Sequence, residues 1–262
     1  MQTTSAGEAQ PAPAAIAPAW HTVVLIAGIL AVSATGASRI PGAHGPVHRL
    51  ATYAVTAGME LALFTWVMVG LRLKKTPLRS LLGENSLKLR SIALDFGIAL
   101  LFWIGSMMIL GTLALAWVGV EAVVTHRPLT AADGKPDPSQ QRTMQTLVQL
   151  APSNAKEIAA WAVLCLVAGF VEECVFRGYL QRQFIAWGRG SAAAGVVFSA
   201  LIFGAAHGYE GARAMFLIAV FGVLFSLLAL FRRSLRAGII AHCWQDLLVG
   251  LVLALLKSQH IV

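Results

Sequence analysis

The chain has 262 residues, of which 57% are hydrophobic and 12% charged, with a net charge of +8 and a mean hydropathy of +0.72. A soluble domain carries about twice that fraction of charge, and the apolar runs here reach the roughly 20 residues that span a bilayer, so a soluble protein is excluded. Short alternating apolar segments are absent, which excludes a β-barrel, and the positive charge is collected in clusters between apolar runs, which excludes a nucleic-acid binder. The composition therefore predicts an all-α polytopic integral membrane bundle in a single transmembrane domain, over residues 20–262.

Residues 1–19 are rich in Ala and Pro, with Glu8 the sole charged side chain, and read as a disordered tail. No Lys or Arg precedes the first apolar run, which argues against a cleaved signal peptide. Seven spans are expected after it, at 20–38, 50–71, 91–120, 157–180, 191–209, 213–231 and 237–257. Trp20, Trp117, Trp161 and Trp187 fall near the expected ends, as interfacial tryptophans do.

Three basic clusters punctuate the spans: Arg72 to Arg90, then Arg177, Arg182 and Arg189, then Arg232, Arg233 and Arg236. They alternate with loops that are neutral or weakly basic. By the positive-inside rule this predicts a multi-pass plasma-membrane protein with a cytoplasmic N-terminus and an external C-terminus. The 121–156 loop contains Pro128, Asp133-Gly134, Pro136 and Pro138, a turn region. Met144, Leu147, Val148 and Ala151 then recur with helical spacing and predict a short amphipathic helix on the outer surface. Cys165, Cys174 and Cys243 all lie in apolar segments and read as packing residues.

Ionisable residues inside these spans carry the functional signal, because each costs roughly 2.5–3.5 kcal/mol to place at mid-bilayer. Glu172, Glu173 and Arg177 follow an uncharged run from Ile158 to Val171. Glu173 and Arg177 are four apart and share a helical face, so they form a structural ion pair, while Glu172 points about 100° away. Glu172 is then either a free carboxylate suited to base catalysis or a second partner of Arg177. His207 follows Phe203 by one turn, and Gly204 and Gly208 allow close packing beside it. It reads as a packed polar residue or as part of a site. His242 and Asp246 also share one face and could bind a metal, relay a proton or orient an imidazole. Glu60 lies mid-span and needs a donor, and Asp95 is assigned to Arg90 as an interfacial partner.

Glu172-Glu173…Arg177, Phe203…His207 and His242…Asp246, in that order, resemble the CPBP family of CAAX proteases and bacteriocin-processing or self-immunity proteins, over about residues 157–250. The resemblance implies an intramembrane endopeptidase acting on a membrane-associated protein or peptide. By analogy Glu172 and His207 activate water, His242 and Asp246 stabilise the oxyanion, and Glu173, Arg177 and Phe203 support them. Prenyl-protein endopeptidases of the family carry Asn where this chain has Asp246, and an ionised carboxylate cannot donate to an oxyanion. Asp246 must therefore be protonated, orient His242, or ligate a metal. The chemistry requires either no cofactor or one divalent metal such as zinc, with Glu172, His207, His242 and Asp246 as candidate ligands. The contrasting reading is a non-enzymatic membrane protein: a proton-coupled transporter, or an immunity or adaptor protein on an inactive protease fold. The resemblance names no native substrate, and the sequence leaves the oligomeric state open.

Counting 1.5 Å per residue from the basic ends places His207 roughly 20–25 Å deep and His242 only about 9 Å deep. Tilt, a late start to the fifth span or a kink would close part of that gap, and no sequence argument closes all of it. The topology itself is testable: reporter fusions in the 72–90 loop are expected on the cytoplasmic side, and an external location would overturn the charge argument.

Overall fold

The computed structural model describes residues 13–39, 48–83, 87–126 and 147–259. All seven expected apolar segments are helical. In chain order the helices are α1 (Ala19–Arg39), α2 (Arg49–Leu73), the short α3 (Leu78–Leu82), α4 (Leu89–Thr125) and α5 (Ala155–Glu172). A π-helical segment (Glu173–Leu180) and α6 (Gln181–Trp187) continue α5, and α7 (Ala192–Ala206), α8 (Ala212–Arg232) and α9 (Arg236–Ser258) follow. Five of these stretches are long and apolar enough to cross a membrane, the 33-residue run from Ala155 to Trp187 among them. Ala19–Thr35 and Ala192–Ala206 are shorter apolar helices. Among the described residues there is no strand, and the only pairing outside helices is one bridge between Gly83 and Ser234. The fold is an all-α polytopic membrane bundle.

Helix ends are fixed by local chemistry. Asn154 caps α5 by accepting from the Glu157 backbone N–H at 3.0 Å, and Glu157 Oε2 accepts in return from the Ser153 N–H at 2.8 Å, a reciprocal box. Ser191 caps α7 in the same way through Ala194 N–H. Outward faces are left to lipid: Leu101, Met108 and Leu115 on α4 are all at least 70% exposed, as expected where the solvent is hydrocarbon.

Close helix contacts rest on small residues. A Cβ on Gly204 would lie 2.6 Å from the Met215 carbonyl oxygen, so α7 and α8 meet backbone to backbone there. A Cβ on Gly169 would lie 2.6 Å from Cys243 Sγ and 3.0 Å from Cys243 N, so α5 and α9 are in contact one turn before Glu173. The cysteines are buried free thiols in packing positions.

The depth mismatch between the two histidines disappears in three dimensions. The turn joining α8 to α9 does not sit at the basic end of the long helix. Leu235 N–H donates to the Leu82 carbonyl at 3.0 Å, and a Cβ on Gly178 would touch Leu81 at 2.7 Å and Leu235 at 3.2 Å. The turn is therefore level with Gly178, nine residues before Trp187, and α9 begins roughly 13 Å deeper than a count from the loop supposes. His242 is raised to the level of His207.

Several sequence expectations are corrected. Residues 13–18 are not a free tail. Gln183 accepts from the N–H groups of Ile16 and Ala17, and its side-chain amide donates to Ala17 O at 2.9 Å. Residues 1–12 lie outside the described residues. Trp161 has internal partners as well: its ring packs on Tyr53 and its N–H donates to the Asp246 carbonyl at 3.2 Å. Of the amphipathic helix expected over 144–151, residues 147–150 are helical and 144–146 lie outside the described residues. The helical part is tied inward, with Arg49 Nε donating to Gln149 O at 2.6 Å, Tyr53 OH donating to Leu150 O, and Ala151 buried.

Asp95 is not the partner of Arg90. It is buried and grips Arg232 through one oxygen and Arg236 through the other, joining α4 to both ends of the α8–α9 turn. Sequence proximity favoured Arg90, but helix packing decides the pairing. Asp95→Ala strands two arginines that are about four-fifths buried, and is expected to cost about 2–4 kcal/mol. Arg90→Ala should stay within about 0.5 kcal/mol. Thermal unfolding of both variants in detergent checks the contrast.

Candidate active site

The π-helical segment carries the centre of the site. Its wider turn is a local departure from α geometry of the kind that accompanies functional sites, and all eight of its residues are buried. Glu173 still reaches Arg177 one turn on, with Arg177 Nη1 donating to Glu173 Oε1 at 2.9 Å and both side chains at most 1% exposed. The guanidinium lies 4.2 Å from the Phe203 ring centre and 4.9 Å from that of Phe225, so its faces are covered by π-systems. The expected structural pair is present.

The same Glu173 oxygen has a second partner. His242 Nδ1 lies 3.0 Å from it. An ionised carboxylate only accepts, so Nδ1 carries the hydrogen, and Nε2 is turned to the other side of the ring. There it meets Glu172 Oε2 at 3.6 Å and Asp246 Oδ2 at 3.8 Å. Glu173 thus orients the imidazole as well as neutralising Arg177. Gly238 makes room for this, since a Cβ there would lie 3.1 Å from Glu173 Oε2. Phe225, 5.2 Å from His242 between ring centres, backs the imidazole.

His207 sits just past the end of α7 rather than inside a span. Its Nδ1 is 2.9 Å from the Phe203 carbonyl, which only accepts, so Nδ1 carries a hydrogen and Nε2 is left for other work. The Phe203 ring stands between the two imidazoles, 5.1 Å from His207 and 6.2 Å from His242. Gly204 supports this packing as expected. Gly208 instead lies in the following turn and donates its N–H to Ser33 Oγ at 3.2 Å.

The residues named from the sequence therefore converge from three directions. Glu172, Glu173, His242 and Asp246 are in direct contact range, and His207 is within electrostatic reach of Asp246. No hydrogen bond or ion pair among the described residues joins Glu172 to His207, so that pairing is less direct than the resemblance implies. Among the described residues no group of three or more His, Cys, Asp or Glu is gathered closely enough to hold a metal ion; of the candidate ligands, Glu172, His242 and Asp246 lie together and His207 stands further off.

Three more residues join the site. Glu60, from the middle of α2, feels Glu172, His242 and Asp246, and its Oε2 is buried without a hydrogen-bond partner. Its mid-span position was the available sequence signal. Tyr209 and Glu210 fill the 3₁₀ turn after His207: the Tyr209 ring lies 6.1 Å from that of His207, and Glu210 is within reach of both His207 and Glu172. Nothing in their spacing marks them, because they lie in a turn with no helical face.

Carboxylates and imidazoles from three parts of the chain are thus gathered in one region of the bundle. Residues 154–248 match the family model "Rce1-like: Type II CAAX prenyl endopeptidase Rce1-like". The match is consistent with a CPBP family intramembrane protease and bears out the resemblance over that segment; it supports a CAAX-type intramembrane protease in general. No curated protein and no solved structure matches the chain.

Arg177 separates structure from chemistry. Arg177→Ala leaves the buried Glu173 without its cation and is expected to lower stability by about 3–5 kcal/mol. Folded yield and thermal unfolding should fall further than turnover per folded molecule. A well-folded, inert Arg177→Ala protein would instead place the arginine in the catalytic set.

Proposed function

We propose that the protein is an intramembrane endopeptidase that hydrolyses a peptide bond in a membrane-associated protein or peptide. The observation that carries this reading is the orientation of His242. With Nδ1 held by Glu173, its Nε2 faces Glu172 and Asp246 at 3.6 and 3.8 Å, which gathers two carboxylates and an imidazole nitrogen in an otherwise apolar bundle.

Glu172 is the carboxylate not committed to Arg177, and its Oε2 has no hydrogen-bond partner. In the proposed reaction it takes a proton from water while the oxygen adds to the scissile carbonyl. His207 Nε2 holds the same water from the α7 side. His242, when protonated on Nε2, donates to the oxyanion of the tetrahedral intermediate. The proton held by Glu172 then passes to the departing amine as the C–N bond breaks. Asp246 keeps the His242 ring in place. The membrane is taken to be the plasma membrane, with the N-terminus cytoplasmic, as the basic clusters suggest.

Cleavage of a prenylated C-terminal peptide by purified protein is the direct assay. Glu172→Gln preserves shape and removes the base, and is expected to reduce turnover by about 10²–10⁴-fold with folding unchanged. Asp246→Asn retains a hydrogen-bonding side chain and is expected to remain active. Normal cleavage by a protein lacking both Glu172 and His207 would sink the assignment. Wild-type protein that cleaves nothing but moves protons in liposomes would favour the transporter reading.

A further inference from the structure

A second concavity lies on the far side of Arg177 from the carboxylate cluster, where α3 meets the α8–α9 turn. It has a volume of about 560 Å³ and opens between α3, the π segment, α6 and the α8–α9 turn. Arg79, Arg182 and Arg233 stand around it, each from a different element, and Arg177 and Gln181 line its wall. We propose that this cavity binds a phosphate-bearing anion, the headgroup of an anionic phospholipid.

Charge distribution is the first argument. Arg232 and Arg236, on the same turn, are neutralised by Asp95, and Arg177 by Glu173. Among the described residues no carboxylate pairs with Arg79, Arg182 or Arg233. Three guanidinium groups around one concavity repel one another, and a phosphate relieves that repulsion while accepting forked hydrogen bonds.

Orphaned polar atoms are the second argument. Gln181 Oε1 and the Nε and Nη2 of Arg177 are buried and lack any hydrogen-bond partner, and both residues line the cavity. Groups in that state call for a polar occupant. The rim is also built rather than loose. Gly83 adopts φ +80°, a Cβ there would collide with the Arg233 backbone, and the Gly83–Ser234 bridge with the Leu235 N–H to Leu82 O bond at 3.0 Å locks α3 onto the turn.

Shape favours a lipid over a soluble phosphate. Ile185, Leu230 and Leu235 make an apolar part of the wall, and the adjoining surface is lipid-facing, with Phe231 78% exposed. An amphiphile satisfies both the arginines and this wall; a free ion satisfies only the arginines.

The full chain in a neutral detergent is to be titrated with short-chain phosphatidylglycerol, with phosphatidylcholine of the same chain length, and with inorganic phosphate, read by thermal unfolding and native mass spectrometry. Phosphatidylglycerol is expected to raise the unfolding temperature and remain bound, with phosphatidylcholine inert. Arg182→Gln with Arg233→Gln is expected to weaken binding by at least about tenfold; each single substitution gives a smaller loss and serves if the double variant does not fold. Equal shifts from phosphatidylcholine, or undiminished binding to the arginine variants, would overturn the proposal. A full shift from inorganic phosphate alone would reassign the site to a soluble phosphate and overturn the lipid.

Discussion

One carboxylate oxygen organises this molecule. Glu173 Oε1 accepts from Arg177 within its own helix and from His242 on α9, in surroundings where an unpaired charge is strongly disfavoured. Break the bond to Arg177 and a buried ion is stranded; break the one to His242 and the imidazole loses its orientation. The pair therefore fixes the phase of the π segment, the angle of the imidazole and the approach of α9 in one stroke. Gly169 against Cys243 and Gly238 against Glu173 are the steric counterparts that let the helices come near enough for it.

Around that centre the structure sorts polar groups by exposure. Glu173 and Arg177 are buried against each other, with the guanidinium over the Phe203 and Phe225 rings. Glu172 and Asp246 are 17% and 33% exposed and face the free side of His242. Two adjacent glutamates thus acquire opposite roles from rotation about one helix axis. The second imidazole, on His207, is positioned independently by a backbone carbonyl, with an aromatic ring as the spacer between the two.

Much of this was legible in the sequence, and the limits have physical causes. The spans followed from hydropathy, and the Glu173–Arg177 pair followed from four-residue spacing. Local periodicity gives the neighbours a residue has on its own helix, so Asp95 was matched to nearby Arg90 when its partners are Arg232 and Arg236 from other helices. Hydropathy also treats loops as lying at the membrane surface. The α8–α9 turn is instead strapped to α3 at the level of Gly178, which no window of the sequence encodes, and the two histidines reach one level, on either side of Phe203, because of it. Trp161 was read as an anchor for the same reason: its position near a helix end gave no sign that its N–H is needed by the Asp246 carbonyl. Tyr209 and Glu210 sit in a turn, where no periodic pattern exists to reveal them.

The contact between Gly169 and Cys243 also makes the protein its own strain gauge. The thiol is buried and its sulfur occupies the space a side chain at position 169 would need, so an alkylating reagent is hindered while α5 and α9 are closed. Any motion that admits a peptide to the edge of His242 by parting these helices must first uncover the neighbouring sulfur. The rate at which Cys243 becomes reactive then measures how often the bundle opens, without a label and without knowledge of what it admits.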